Sequence, residues 1–149
     1  MLLERIAQYD DARGHYALAH AAWETALKLR EHVQGPKHPD TLTSMNNLAQ
    51  SLGAMGEQPA ARALQEQVLD IFQRVLGPEH PDTLTSMNNL AGTLRVMGEL
   101  PAARAMQEQV LTIRQRVVGP EQPATLTSMN NLAGTLRSEE RRVGKECCR

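Results

Sequence analysis

Residues 41–49 read TLTSMNNLA, and the same nine letters return unchanged at 83–91 and at 125–133. Successive copies are 42 residues apart, and the identity extends well beyond them. Residues 35–76 match residues 77–118 at thirty-two of forty-two positions. A fixed period of this length marks a repeat architecture, in which each unit is one supersecondary element that buries its apolar face only against its neighbours. The register runs on in both directions. Gly14, Ala19 and Val33 stand 42 residues before Gly56, Ala61 and Val75, and Gly119-Pro120 opens a further copy that keeps step to Arg137. The chain thus divides into a partial repeat at 1–34, whole repeats at 35–76 and 77–118, the first helix of a truncated repeat at 119–137, and a tail at 138–149.

Each repeat reads as two helices. Leu42, Met45, Leu48, Ala49, Leu52 and Met55 recur at spacings of three and four, which defines one buried face of a helix from about Pro39 to Met55. Pro39 suits the first turn, His38 or Asp40 the cap, and Gly56 the position just past the end. A second stripe, Ala61, Leu64, Val68, Ile71 and Val75, is opened by Pro59 and closed by Gly77 before Pro78. Two antiparallel helices of this size cannot bury both faces alone, so successive pairs must stack. The expected fold is all-α, a right-handed α-solenoid of antiparallel helix pairs.

Composition supports that expectation and narrows the function. Of 149 residues, 41% are hydrophobic but only 3% aromatic, a balance of Leu, Ala, Val and Met that suits helix-on-helix packing. The net charge is −1 with Lys and Arg spread along the chain, so the basic footprint of a nucleic-acid or anionic-membrane binder is missing. An RNA-reading helical repeat is disfavoured on the same ground and by its different period. No apolar run approaches the ~20 residues that span a bilayer, and Glu4 and Arg5 break up the start of any signal peptide. The expected setting is cytoplasmic. Cys147 and Cys148, adjacent at the end, define neither a disulfide framework nor a spaced metal site.

The framework Leu48-Ala49, Gly56, Ala61 and Val68, repeated as Leu90-Ala91, Gly98, Ala103 and Val110, resembles the tetratricopeptide repeat (TPR). The 42-residue period with GPxHPDTL and NNLA resembles more narrowly its kinesin-light-chain-like subfamily, over residues 1–137. Leu52 and Gln65 stand where that family often has aromatics, although Trp23 holds the Gln65 position in the first unit. The coiled coil that joins kinesin light chains to their motor is not in this sequence, so a transport role does not carry over. The resemblance implies a protein-interaction scaffold, with the first helix of each pair lining a concave groove that commonly holds extended peptides through asparagines.

On a helical wheel the buried stripe centres near Leu52 and Met45, which leaves Thr43, Asn46, Asn47, Gln50 and Ala54 opposite. The candidate peptide-binding ladder is therefore Thr43, Asn46, Asn47 and Gln50, then Thr85, Asn88, Asn89 and Arg95, then Thr127, Asn130 and Asn131. Each asparagine costs up to ~0.7 kcal/mol against alanine inside a helix, so a tandem pair needs an offsetting gain. Its amide offers one acceptor and two donors, the set that pairs with both groups of an extended backbone. Helix layers 8–10 Å apart and a peptide rise of ~3.3 Å would let each repeat read roughly three ligand residues. The alternative is a structural role, with the asparagines satisfying carbonyls of the neighbouring repeat, or simple persistence after duplication. Gln50 becomes Gly92 and Gly134, Gly53 becomes Arg95 and Arg137, and Ala54 becomes Val96, changes that set specificity or reflect drift on a solvated surface. No Lys or Arg accompanies the asparagines at the centre of that face, so a clamp for a terminal carboxylate, known in some relatives, is not expected.

No constellation for chemistry emerges, and neither an enzyme, a cofactor nor a metal is expected. His38-Pro39-Asp40 and His80-Pro81-Asp82 become Gln122-Pro123-Ala124 in the third copy, so helix capping explains them. His15, His20 and His32 lack partners at ligand spacing, and Gly144-Lys145 lacks the rest of a phosphate loop. Arg62 with Glu66 and Arg104 with Glu108 are i, i+4 pairs on a solvated face, and the methionines read as core filler. The tail from Arg137 to Cys147 resembles the translation of a short-read sequencing adapter and is set aside, with Cys148 and Arg149 beyond the match. Leu126, Met129, Leu132 and Leu136 then have no second helix to cover them, so the chain reads as a fragment of a longer array, with self-association possible there. The function expected is a scaffold that binds a protein or peptide ligand. The alternative is a sensor array cut from a multidomain nucleotide-binding signalling protein.

Overall fold

The structure, a computed structural model, describes residues 2–12 and 15–147, except the side chains of residues 9–12 and 146. Gly14 and the Cys148-Arg149 end lie outside the described residues. Seven helices are described, and no strand occurs among the described residues. Residues 1–75 form one compact unit and residues 76–149 another. The first unit holds α1 (Leu2–Ala12), α2 (Tyr16–Gln34), α3 (Pro39–Ala54) and α4 (Gln58–Val75), each packed on the next. The second holds α5 (Pro81–Val96), α6 (Leu100–Val117) and α7 (Pro123–Cys147), with α6 against both of the others.

The helix ends follow from residues already named. His38 and His80 cap α3 and α5, each ring Nδ1 accepting the backbone N–H of the aspartate two residues on at 3.2 Å. At the other end, Glu57 N–H donates to Leu52 C=O and Gly56 N–H to Gly53 C=O, a Schellman closure that Glu99 and Gly98 repeat. It needs positive φ at Gly56 and Gly98, +89° and +84°.

The turns between repeats carry a tether that the apolar pattern does not reveal. The Thr41 hydroxyl donates to Gly35 C=O at 2.9 Å, and Thr83 and Thr125 do the same to Gly77 and Gly119 at 2.8 Å. All three threonines are fully buried. A buried hydroxyl is tolerated only with a partner, and the glycine carbonyl supplies it while closing the chain between two helices. Thr83→Val keeps the shape but leaves the Gly77 carbonyl only its longer bond from the His80 N–H at 3.5 Å, so it is expected to cost roughly 0.5–1.5 kcal/mol in urea unfolding; an unchanged midpoint would show that the tether carries no weight.

The core differs from the expected stripes at identifiable points. In α3, Leu42, Met45, Leu48 and Ala49 are buried as expected, together with Ser44 and Ser51, whereas Leu52 is half-buried and Met55 exposed. In α4 the buried set is Ala61, Gln65, Val68, Leu69 and Phe72; Leu64 and Ile71 are half-buried and Val75 is exposed. The small hydroxyl side chains turn the face of α3, because Ser51 and Ser44 find acceptors on the preceding helices, Tyr16 C=O at 3.3 Å and Glu4 at 3.1 Å.

The last helix does not stop at Arg137, because α7 runs on through the tail to Cys147. Nothing in SEERRVGKEC forbids helix except Gly144, which is tolerated near an end at a modest cost. Glu139 pairs with Arg104 at 3.5 Å and Arg142 donates to Gly98 C=O at 3.2 Å. Leu126 is nevertheless 48% exposed, and Met129, Leu132 and Leu136 are half-buried, where their counterparts Leu84, Met87, Leu90 and Leu94 are buried.

Candidate functional site

The ladder residues can now be placed one unit at a time. On α3 of the first unit, Thr43 and Gln50 are exposed and Asn46 and Asn47 half-buried. On α5 of the second, Thr85 and Arg95 are exposed and Asn88 and Asn89 half-buried, while Thr127, Asn130 and Asn131 on α7 are exposed. The threonines are already engaged locally: Thr43, Thr85 and Thr127 each donate to the proline carbonyl four residues back at 2.9 Å. Their oxygens can still accept, but their protons are committed.

The asparagines are not engaged in that way. Among the described residues no hydrogen bond forms to the side chains of Asn46, Asn47, Asn88, Asn89, Asn130 or Asn131, and the Oδ1 atoms of Asn46 and Asn88 are enclosed without a donor. The nonapeptide is thus divided in its work. Thr41 ties the turn, Leu42, Ser44, Met45, Leu48 and Ala49 pack, Thr43 bonds its own helix, and the two amides are left over.

Sequence reading missed one cluster on each unit. In the first, Arg30 of α2 pairs with Glu4 of α1 at 2.6 Å and with Asp40 at the start of α3 at 3.2 Å, while the Ser44 hydroxyl donates to the same Glu4 oxygen at 3.1 Å. Burial alone would raise the Glu4 pKa, but its bonds from Arg30 and Ser44 and the Arg30 charge outweigh that and hold it below the ordinary value. A carboxyl held low in the folded state contributes stability that is present above the unfolded value and lost as pH falls through the folded one. Glu4→Gln is therefore expected to be less stable than wild type at neutral pH. The gap in thermal midpoint should close as pH drops below the ordinary carboxylate range; a gap independent of pH would refute this account.

In the second unit, Arg114 of α6 is 8% exposed and reaches both flanking helices. Its Nη1 donates to Ala124 C=O at 2.9 Å and Ser128 Oγ at 2.8 Å on α7, and Nη2 to Thr85 Oγ1 at 3.4 Å on α5. Burial pulls its pKa below the ordinary value. A guanidinium from the second helix of the pair thus touches Thr85, one rung of the ladder, and bonds to no asparagine. The signal was available in the register, since Arg30 and Arg114 are 84 residues apart, two periods, with Phe72 midway.

Arg62 with Glu66 and Arg104 with Glu108 pair at 2.8 Å on exposed faces. Among the described residues no group of three His, Cys, Asp or Glu side chains is placed to hold a metal, and no helix is long and apolar enough to cross a membrane.

The tetratricopeptide-repeat family model matches residues 1–40, 41–82 and 83–124, in a 42-residue frame that starts at Thr41. The chain belongs to the tetratricopeptide-repeat family. Its TPR units resemble those of a solved Podosopora anserina kinesin light chain with nearly identical TPR-like repeats, at 28% identity and a TM-score of 0.85 over 93% of this chain. BtubC, also called BKLC, from P. vanneervenii shares the fold over 98% of the chain, at 24% identity and a TM-score of 0.81. The chain spans 65% of the length of the first of these proteins and 58% of the second. No curated protein matches the sequence. The fold is thus the all-α TPR type, with kinesin-light-chain-like repeats, and TPR chains are in general protein-interaction scaffolds.

Proposed function

We propose that this TPR chain is a non-enzymatic scaffold that binds extended peptide segments of a protein partner, with the asparagine pairs of α3, α5 and α7 as the main backbone-reading groups. The observation that carries the reading is the unspent hydrogen-bonding capacity of those pairs. In a nonapeptide whose other seven residues are used by the fold, both amides lack internal partners, and two amide oxygens are enclosed with no donor. The amides of Asn47 and Asn89, half-buried and with oxygens that are not enclosed, can pair with the backbone N–H and C=O groups that an extended peptide supplies. Thr43, Thr85 and Thr127 serve as secondary acceptors, and Gln50 and Arg95, at positions that differ between repeats, as specificity contacts.

Asn47→Ala combined with Asn89→Ala tests this directly. Peptide capture from a nine-residue library should fall by about tenfold or more, as expected for two lost amide contacts, while helicity and melting stay unchanged. Equal loss of binding and stability would assign the pairs to structure instead. The partly uncovered stripe of Leu126, Met129, Leu132 and Leu136 on α7 is proposed in addition as a self-association face. A strictly monomeric mass in light scattering at high protein concentration would contradict that part alone.

A further inference from the structure

Thirteen residues of α7, from Thr125 to Arg137, are letter for letter those of α5 from Thr83 to Arg95, yet the two helices are covered differently. α6 packs on both, and on α5 Leu84, Met87, Leu90, Ala91 and Leu94 are all buried. On α7 the same positions stay open: Leu126 is 48% exposed, Ala133 is exposed, and Met129, Leu132 and Leu136 are half-buried. Four of these, Leu126, Met129, Ala133 and Leu136, are spaced three, four and three apart, the seam along which one helix packs lengthwise on another. That spacing reads the same in either direction. Reversed about residue 131, Leu126 falls on Leu136 and Met129 on Ala133, so the row is complementary to a second copy of itself laid antiparallel. The charges beyond its ends obey the same reversal, with Glu121 falling on Arg141. Both are exposed and neither has a partner among the described residues, although Glu79, the equivalent of Glu121 one period earlier, is paired with Arg116.

We propose that α7 is a two-fold dimer seat, on which the α7 of a second copy lies antiparallel, with Leu126 against Leu136, Met129 against Ala133, and Glu121 facing Arg141 at each end. The inference rests on the self-association reading above and makes it specific: the occupant is α7 itself, and assembly stops at two. A contact of this kind uses up the same face on both copies. A contact between α7 and any other surface would leave one α7 open and let the assembly grow.

Sedimentation equilibrium of the full chain tests this. The mass should rise with concentration from 16.5 kDa to twice that value and level off there. Leu126→Arg should raise the dissociation constant by about a hundredfold, because the symmetry loses the leucine twice, and should leave helicity unchanged, since that side chain is half exposed in the single chain. Arg141→Glu and Glu121→Arg, both at exposed positions, should each weaken the dimer by about tenfold, and the double variant should restore it by re-forming both charge pairs in reverse. Mass that grows past the dimer, or a dimer indifferent to Leu126→Arg, overturns the inference while self-association stands. Single charge reversals without effect, or a double variant no better than the singles, exclude the antiparallel register and overturn it as well. A chain that stays at 16.5 kDa throughout removes both this pairing and the self-association reading.

Discussion

Replacing Trp23 by alanine is expected to destabilise the first unit by about 3–5 kcal/mol, the range for deleting a large buried aromatic. Trp23 is 2% exposed on α2, the helix packed on both α1 and α3, so deleting its ring removes a large volume from the core of the first unit. Urea unfolding followed by far-ultraviolet circular dichroism reads the loss, and hydrogen exchange should place it in α1 to α3. A shift under about 1 kcal/mol would mean that the helices close over the gap, as packing studies allow only for collapsible sites.

The opposite sign is expected at the same register position in the later repeats. Gln65 and Gln107 stand where Trp23 stands, are 3% and 2% exposed, and each encloses an amide oxygen with no donor. Gln107→Leu removes that orphan for a side chain of similar size, so the second unit should gain about 1–2 kcal/mol. The urea midpoint should rise, and Gln65→Leu should do the same for the first unit. A fall in midpoint would show that the amide has a partner in solution.

Much of this fold was legible because its punctuation is explicit. Pro39 and Pro81 open helices within a residue of where they were placed, Gly56 and Gly98 close them with positive φ, and the 42-residue frame is shared by the family model. What escaped has a common physical cause. A binary apolar pattern treats Thr41, Ser44 and Ser51 as polar, yet a small hydroxyl buries at little cost once it meets a carbonyl or carboxylate nearby, which turns the packed face away from Leu52 and Met55. Gln65 was read as a missing aromatic, and the structure adds that its amide is enclosed. The asparagines were placed on the side opposite the stripe, and they flank that side, half-buried on α3 and α5. Arg114 was missed because its partners lie 10, 14 and 29 residues away on other helices. Only comparison between repeats, rather than within one, brings Arg30, Phe72 and Arg114 into view.

The threefold TLTSMNNLA also bears on how the chain finds its structure. α3 and α5 share eleven identical residues from Pro39 to Ala49 and from Pro81 to Ala91, so each presents nearly the same packing surface to a searching second helix. During refolding α4 has no local means of rejecting α5 as its mate except the length of the connecting turn, and α6 is in the same position toward α3. Short turns, three residues between α3 and α4, favour the correct neighbour through chain connectivity rather than through chemistry. Cross-pairing between different molecules escapes that restraint, which makes concentration the variable that separates productive folding from swapped assemblies.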